Sequence, residues 1–450
     1  MVTAAELKCF GLPFWLDMDR PEFPSLEGNQ SAHIAVVGAG ICGLKLARCL
    51  DRYGLKTIIL EANRVGSGAS SRNEGSVNHG PDLNYADAID RFSRGRAREL
   101  WEMGLANRGL LKEEMAEFGI ECEYREEGST QLVRSDIAGW EEQAARLRID
   151  GQLLQEDGFD VVYLNEGESR EVGGSVLFIR GLRNLNDAQF HSGKFLLGLA
   201  ESVNRLANVK LFENSRVLGM EGVGASVRLT TARGVVSAEH VFLATNAWAP
   251  QLAPDLENRL RAERGQILVT ESMARRPCRG TFGTAMAWWR DVAEPDGRYR
   301  LLFGGGRRRD EPDSLFPQFT RDGQPHPKLE GEGFSPSIAH QNRLELELEK
   351  LFPDLVNVPI THRWGGLQSF PADNLPLVGD FDPVRRIHGI AGLSGRGNCY
   401  SNVGAEFLAG RVAGVVSEVE QQFGGLIDEL LAVRRDSAVW DFWQSLYDKD

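Results

Sequence analysis

Three glycines and one carboxylate carry the first chemistry that can be read in this sequence. Gly38, Gly40 and Gly43 stand in "HIAVVGAGICGLKLARCL", and Glu61 follows "KTIIL". The spacing G-x-G-x-x-G suits a pyrophosphate. The first glycine permits a tight turn, the second lets the anion approach the backbone, and the third lets a helix pack closely on a strand. An acidic side chain about 20 residues further on is placed to hydrogen-bond a ribose hydroxyl. These groups need particular elements to hold them. "HIAVV" has the pattern of a buried strand, Leu44, Ala47 and Leu50 recur at helical spacing up to Gly54, and "KTIIL" reads as a second strand. The anion then lies at the positive end of the helix. A lone glycine motif is weak evidence, but strand, turn, helix, second strand and carboxylate in register predict a dinucleotide site.

Composition limits the rest. The 450 residues suit two domains, and 42% hydrophobic with 26% charged residues describes an ordinary globular chain. A formal net charge of -13 argues against nucleic-acid binding, which needs a basic face. Cys9, Cys42, Cys49, Cys122, Cys278 and Cys399 show no C-x-x-C spacing and read as reduced thiols, so a cytoplasmic protein without a metal centre is expected. No apolar run is long enough to span a membrane, and the N-terminus lacks the pattern of a secretory signal. Oligomeric state is not legible.

The choice of dinucleotide comes from "RVGSGASSRNEGSVNHG", whose backbone N–H groups suit a pyrophosphate and the flavin side of a longer cofactor. "HVFLATNAWAP", "RGQ", "RWGGLQSFPADNLPLVGD" and "IAGLSGRGNCYSNVGAEFLAG" follow in order. With these elements the chain resembles the D-amino-acid-oxidase-like superfamily of FAD-dependent oxidoreductases. Within it the chain is most similar to gamma-glutamylputrescine-oxidase-like amine oxidases, including the lead-in "PFWLD". The resemblance implies an α/β fold: a Rossmann-type, glutathione-reductase-like FAD-binding domain interleaved with an α+β substrate domain on a mainly antiparallel sheet. Residues 30–85, 187–255 and 359–450 are expected to build the first, 86–186 and 256–358 the second, with 1–29 as lead-in. Besides the glycine turn and Glu61, the implied FAD contacts are Ala62, Gly68, Ala69, Ser70, Ser71, Arg72, Asn73, Glu74, Val217, Thr245, Asn246, Gly379, Gly395, Gly397 and Asn398. A helix from Ser401 onward is expected to aim its N-terminal end at the flavin's pyrimidine edge.

Departures from the family pattern single out other residues. Glu74 stands where the family loop has glycine, Arg396 where it has histidine, and Cys399 where sarcosine-oxidase-like relatives carry a lysine that grips the substrate carboxylate. Arg396 is thus a candidate catalytic and substrate-binding group, open between carboxylate anchor, flavin stabiliser and structural partner of Glu74. Cys399 lies at the substrate side, either as an inert thiol or as a flavin attachment. His79 stands open as a base, a substrate contact, a flavin linkage or a hydrogen-bonded structural histidine. On the strand "AMAWWRDV", alternation sends Trp288 and Arg290 to one face and Trp289 to the other. Trp288 then offers an aromatic wall for an amine, and Arg290 a second catalytic cation. "LELELEK" reads as a helix with a solvated acidic face, "GGGRRRD" as a strand end with surface arginines, and 311–340 as a long loop near the site.

The expected activity is FAD-dependent oxidation of a C–N bond in an amine or N-substituted amino acid, giving an imine that hydrolyses. Oxygen or an electron carrier then reoxidises the flavin. The alternatives are a biosynthetic dehydrogenase or monooxygenase acting on a larger substrate, and a non-catalytic flavin-binding interaction protein.

Overall fold

The computed structural model describes residues 9–305, 315–316 and 333–433. Two large sheets organise the described residues. The first is centred on β1 (Gly28–Val37), which pairs in parallel with β2 (Thr57–Leu60) on one side and with Gly234–Leu243 on the other. Val209–Phe212 extends it beyond β2, Ile387–Ala391 and Leu377–Asp382 extend it at the opposite edge, and the hairpin Gly219–Val223/Ser226–Thr230 adds an antiparallel flap. Residues Ile34 to Val37 are buried on both faces, as a parallel sheet covered by helices requires.

The second sheet is mainly antiparallel. It runs from Leu315–Phe316 through Arg261–Thr270, Tyr299–Gly305, Ala287–Ala293, Thr281–Gly283, Ser129–Arg134 and Phe178–Asn184 to Val161–Leu164. Ile360–Phe370, grouped by sequence with the FAD segments, pairs along Arg261–Thr270 in this sheet. Its Trp364 can therefore reach the loop that follows β2. The α/β fold with a mainly antiparallel second sheet holds.

Three helices meet behind the glycine turn: α1 (Ile41–Arg52), Arg94–Phe118 and Gly397–Ala413. A buried polar network joins them. Lys45 Nζ lies 2.9 Å from Glu114 Oε2 and bonds Asn402, whose backbone N–H donates to Asn107 Oδ1 at 2.8 Å. Asn107 Nδ2 donates in turn to the Asn398 carbonyl at 2.8 Å. Burial lowers the Lys45 pKa, and Glu114 opposes that fall.

"LELELEK" lies in the helix Ile338–Leu351, with Leu344 and Leu348 buried and Leu346 outward. Gly304 and Gly305 end a strand, but the arginines after them lie outside the described residues, as does most of 311–340. Among the described residues no helix is long and apolar enough to cross a membrane, and all six cysteines are free thiols.

His191 caps the helix Ser192–Asn204 by accepting the Lys194 N–H at 3.1 Å, and its ring packs edge-on to Trp15 with centroids 4.7 Å apart. Burial pushes its pKa down to about 4, with Glu123 opposing. As pH falls from the unfolded value of about 6.5 toward about 4, the unfolded chain binds a proton that the folded chain refuses. Stability then drops by at most about 1.4 kcal/mol per pH unit. His191→Asn keeps a capping oxygen, so denaturant titrations of this variant between these pH values should lose that slope; an unchanged slope counts against it.

Candidate functional site

The glycine turn has the shape its sequence requires. Gly38 has φ +101°, and a Cβ there would stand 2.9 Å from the Ala244 carbonyl oxygen. A Cβ at Gly43 would meet the Gly38 oxygen at 2.0 Å, so this glycine serves the contact between helix and strand. Gly40, at the start of α1, has ordinary extended angles, and a Cβ there would meet only Ser70 Oγ, at 3.1 Å. Glu61 Oε2 accepts the Ala39 N–H at 2.9 Å, and Oε1 accepts the Asn63 N–H at 3.0 Å. Burial raises its pKa despite these two bonds.

Gly38, Gly40 and Glu61 line a cavity of about 1030 Å³, above the usual 300–1,000 Å³ or so of small-molecule pockets. Its wall includes Gly38, Gly40, Glu61, Ala62, Val217, Thr245 and Asn246. It continues past Gly68, Ala69, Ser70, Arg72, Asn73 and Glu74 to Gly395, Arg396, Gly397 and Asn398, and it also includes His79, Asp82, Asp150 and Trp288. A long cofactor with a phosphate bridge fits this shape: Gly40 presents bare backbone to the cavity, and α1 begins there.

The loop from Ser70 to Gly75 is held from several sides. Trp15 Nε1 donates to the Asn73 carbonyl at 2.6 Å and Trp364 Nε1 to the Arg72 carbonyl at 3.0 Å. Arg72 Nε donates to the Ser67 carbonyl at 2.8 Å and its Nη1 to the Gly365 carbonyl at 2.9 Å. Asn73 Oδ1 accepts the Gly75 N–H at 2.7 Å, while its Nδ2 donates to the Ser70 carbonyl at 2.9 Å. Trp15 and Trp364 lie within quoted motifs, yet their role as clamps shows only once the sheets are placed.

Five expected contacts do not line the cavity. Gly43 is taken up by packing, as above. Ser71 is buried and bonds the Gly66 carbonyl. Gly379 lies on the strand Leu377–Asp382, paired with Gly389. Arg290 is fully buried and donates to the Phe190, Glu74 and Gly75 carbonyls at 2.8, 3.1 and 3.3 Å. Burial, reinforced by the charge of Arg125, lowers its pKa to about 10. Alternation was right about the face of Arg290 but not about its depth, so it supports the loop instead of meeting a substrate. Cys399 is buried because the helix Gly397–Ala413 starts four residues before the expected Ser401. Burial pushes its thiol up to about 12, opposed by Arg396, which makes it a poor nucleophile.

Arg396 stands at the N-cap of that helix, its side chain 29% exposed, 3.5 Å from Asp82 Oδ1. Its expected partner Glu74 accepts the Ser76 hydroxyl at 2.5 Å, and its charge also interacts with that of Arg396. Burial raises the Glu74 pKa. Trp288 lies over Gly304, where a Cβ would stand 2.2 Å from its ring, while Trp289 stacks in the core on Phe178 and Phe282. His79 Nδ1 lies 2.6 Å from Asp187 Oδ1. Neither Asp82 nor Asp187 stands out in the sequence, because each is a single acid on a turn whose partner comes from elsewhere in the chain.

Residues 33–411 match the family model described as DAO, FAD dependent oxidoreductase. The chain is 25% identical over 403 residues to the probable oxidoreductase OrdL of Haemophilus influenzae, covering 87% of this chain and 85% of that protein. It is 26% identical over 407 residues to the gamma-glutamylputrescine oxidoreductase of Escherichia coli, covering 87% and 84%. In fold it is similar to the crystal structure of glycine oxidase from Geobacillus kaustophilus, with a TM-score of 0.69 at 19% identity over 86% of this chain and 96% of that one. The chain belongs to the DAO family of FAD-dependent oxidoreductases.

Proposed function

We propose that this enzyme oxidises the C–N bond of an amine or N-substituted amino acid to an imine, which water then splits into a carbonyl compound and a smaller amine. The observation that carries this reading is the continuity of one cavity. The wall that follows the glycine turn and the loop from Gly68 to Glu74 also carries Trp288, Asp82 and His79, groups suited to a cationic or polar nitrogen. The gamma-glutamylputrescine oxidoreductase among its relatives points to the same substrate class. When bound, FAD supplies the electron sink that accepts a hydride from the substrate carbon.

The chain's own residues have the following parts in this proposal. Gly38, Gly40 and the start of α1 hold the pyrophosphate, and Glu61 faces the ribose. The N-terminal end of Gly397–Ala413 opens on the cavity beside Gly395 and Arg396, bringing partial positive charge to where electron density collects. Trp288 and the apolar wall keep water from the reacting carbon. Oxygen or an electron carrier restores the oxidised enzyme. The six free cysteines support a place in the cytoplasm.

Arg396 is the carboxylate anchor of this reading, since it lines the cavity, remains partly exposed and has a planar fork. Arg396→Ala should weaken binding of a carboxylate-bearing substrate by about 1.5–3 kcal/mol with FAD retained. Unchanged affinity, measured by spectral titration with the substrate or a slow analogue, removes the anchor. Product mass after turnover tests the reaction class: a carbonyl compound and a smaller amine are expected, and an oxygenated product retaining the C–N bond contradicts it.

A further inference from the structure

Asp187 is buried just before the short strand Ala188–Gln189, and its carboxylate is saturated. It accepts the His79 backbone N–H at 3.0 Å, Asn78 Nδ2 at 3.1 Å, the Ser129 hydroxyl, and His79 Nδ1 at 2.6 Å. Burial opposes its ionisation, but His79 and the bonds from Ser129 and Asn78 bring its pKa below the ordinary value. An ionised carboxylate only accepts hydrogen bonds, so Nδ1 carries a ring hydrogen, and the lone pair of a neutral ring is then on Nε2. His79 Nε2 is buried and has no hydrogen-bond partner among the described residues, and His79 lines the cavity. A buried acceptor in this condition calls for a donor from a ligand.

The backbone fixes the ring as firmly as the carboxylate does. Gly80 has φ +97°, and a Cβ there would stand 2.5 Å from the Trp101 indole. On the helix Arg94–Phe118, a Cβ at Gly104 would come within 3.0 Å of the His79 Cα. The imidazole rests against Phe159, with ring centroids 5.9 Å apart. Turn, helix and carboxylate therefore hold one ring orientation. Charged groups that share this cavity wall include Glu74, Asp82, Asp150 and Arg396, and Arg396 lies beside Asp82.

We propose that His79 Nε2 is the base that receives a proton from the substrate ammonium, and that Asp187 is its positioning residue. This inference rests on the amine-oxidising reading. The substrate N–H bond breaks, its electron pair stays on nitrogen, and the proton passes to Nε2, where Asp187 offsets the imidazolium charge. With the amine neutral, the adjacent C–H bond can break: bound FAD would supply the acceptor for its hydrogen and electron pair, and the nitrogen lone pair would form the C=N bond. The oxidant is the family's own FAD, so electrons and atoms balance. A protonated Nε2 cannot accept, so amine-driven reduction requires the neutral ring.

The test uses the holoenzyme, His79→Asn and Asp187→Asn, with anaerobic reduction by whichever member of a primary and secondary amine panel bleaches the wild type. Asn at 79 can still donate to Asp187, so this variant preserves the buried bond if Asp187→Asn fails to fold. His79→Asn is expected to retain FAD, to reduce about a hundredfold or more slowly, and to lose the acid limb of the pH profile apart from that set by the amine itself. A far-downfield proton resonance from the Nδ1–H is expected in the wild type and absent in His79→Asn, a readout independent of any substrate. Absence of that resonance from the wild type overturns the dyad. Equal rates and pH profiles in wild type and His79→Asn overturn the base role alone. Failure of every amine to reduce the wild type overturns the amine reading and the base role with it, while the resonance still reports the dyad.

Discussion

Gly40→Val is expected to give a folded, colourless protein. The backbone at Gly40 has ordinary extended angles, and an added Cβ would meet only Ser70 Oγ at 3.1 Å, so the chain itself can accept the side chain. The valine methyl groups would instead fill the space beside α1 where a pyrophosphate must touch backbone. Gly38 cannot serve for this test, because its φ of +101° and the 2.9 Å approach to Ala244 make any substitution there a lesion of the fold. FAD released on denaturation, counted per chain, together with the far-ultraviolet spectrum, gives the result. Full occupancy in Gly40→Val contradicts the assignment of the turn.

Glu114→Ala is expected to destabilise the protein by about 3–5 kcal/mol, the usual cost of leaving a buried charge without its partner. Lys45 and Glu114 are both fully buried, and no solvent is close enough to replace the lost carboxylate. The damage should spread to the site, because the same network runs through Asn402 and Asn107 to the Asn398 carbonyl at the start of Gly397–Ala413. Combining Glu114→Leu with Lys45→Met removes both charges and should recover most of the loss in denaturant unfolding. A Glu114→Ala midpoint equal to wild type contradicts the account of how the three helices are held.

The glycine turn was legible because local geometry dictates it: strand, positive φ, close packing and helix start are all encoded within Ile34–Leu50. The resemblance extended the reading to the second sheet and to the loop beginning at Gly68. What stayed hidden depends on depth and on distant partners. Trp288 and Arg290 share a strand face, yet the first reaches the cavity and the second ends beneath Glu74 and Gly75. A helix start four residues early turns Cys399 into the interior. Asp187 acquires its meaning only when the turn at His79 and the strand Ser129–Arg134 converge on it. Arg396 pairs with Asp82 as well as interacting with the Glu74 charge, because the turn carrying Asp82 is brought to it from elsewhere in the chain.

Anaerobic titration of the purified holoenzyme with the amine panel, followed through the visible flavin absorbance, tests the central claim most directly. The account predicts that at least one primary or secondary amine bleaches the flavin completely at about one equivalent per chain and leaves a carbonyl product. A flavin that dithionite reduces but that no amine bleaches, at any concentration or pH at which the protein stays folded, would contradict it.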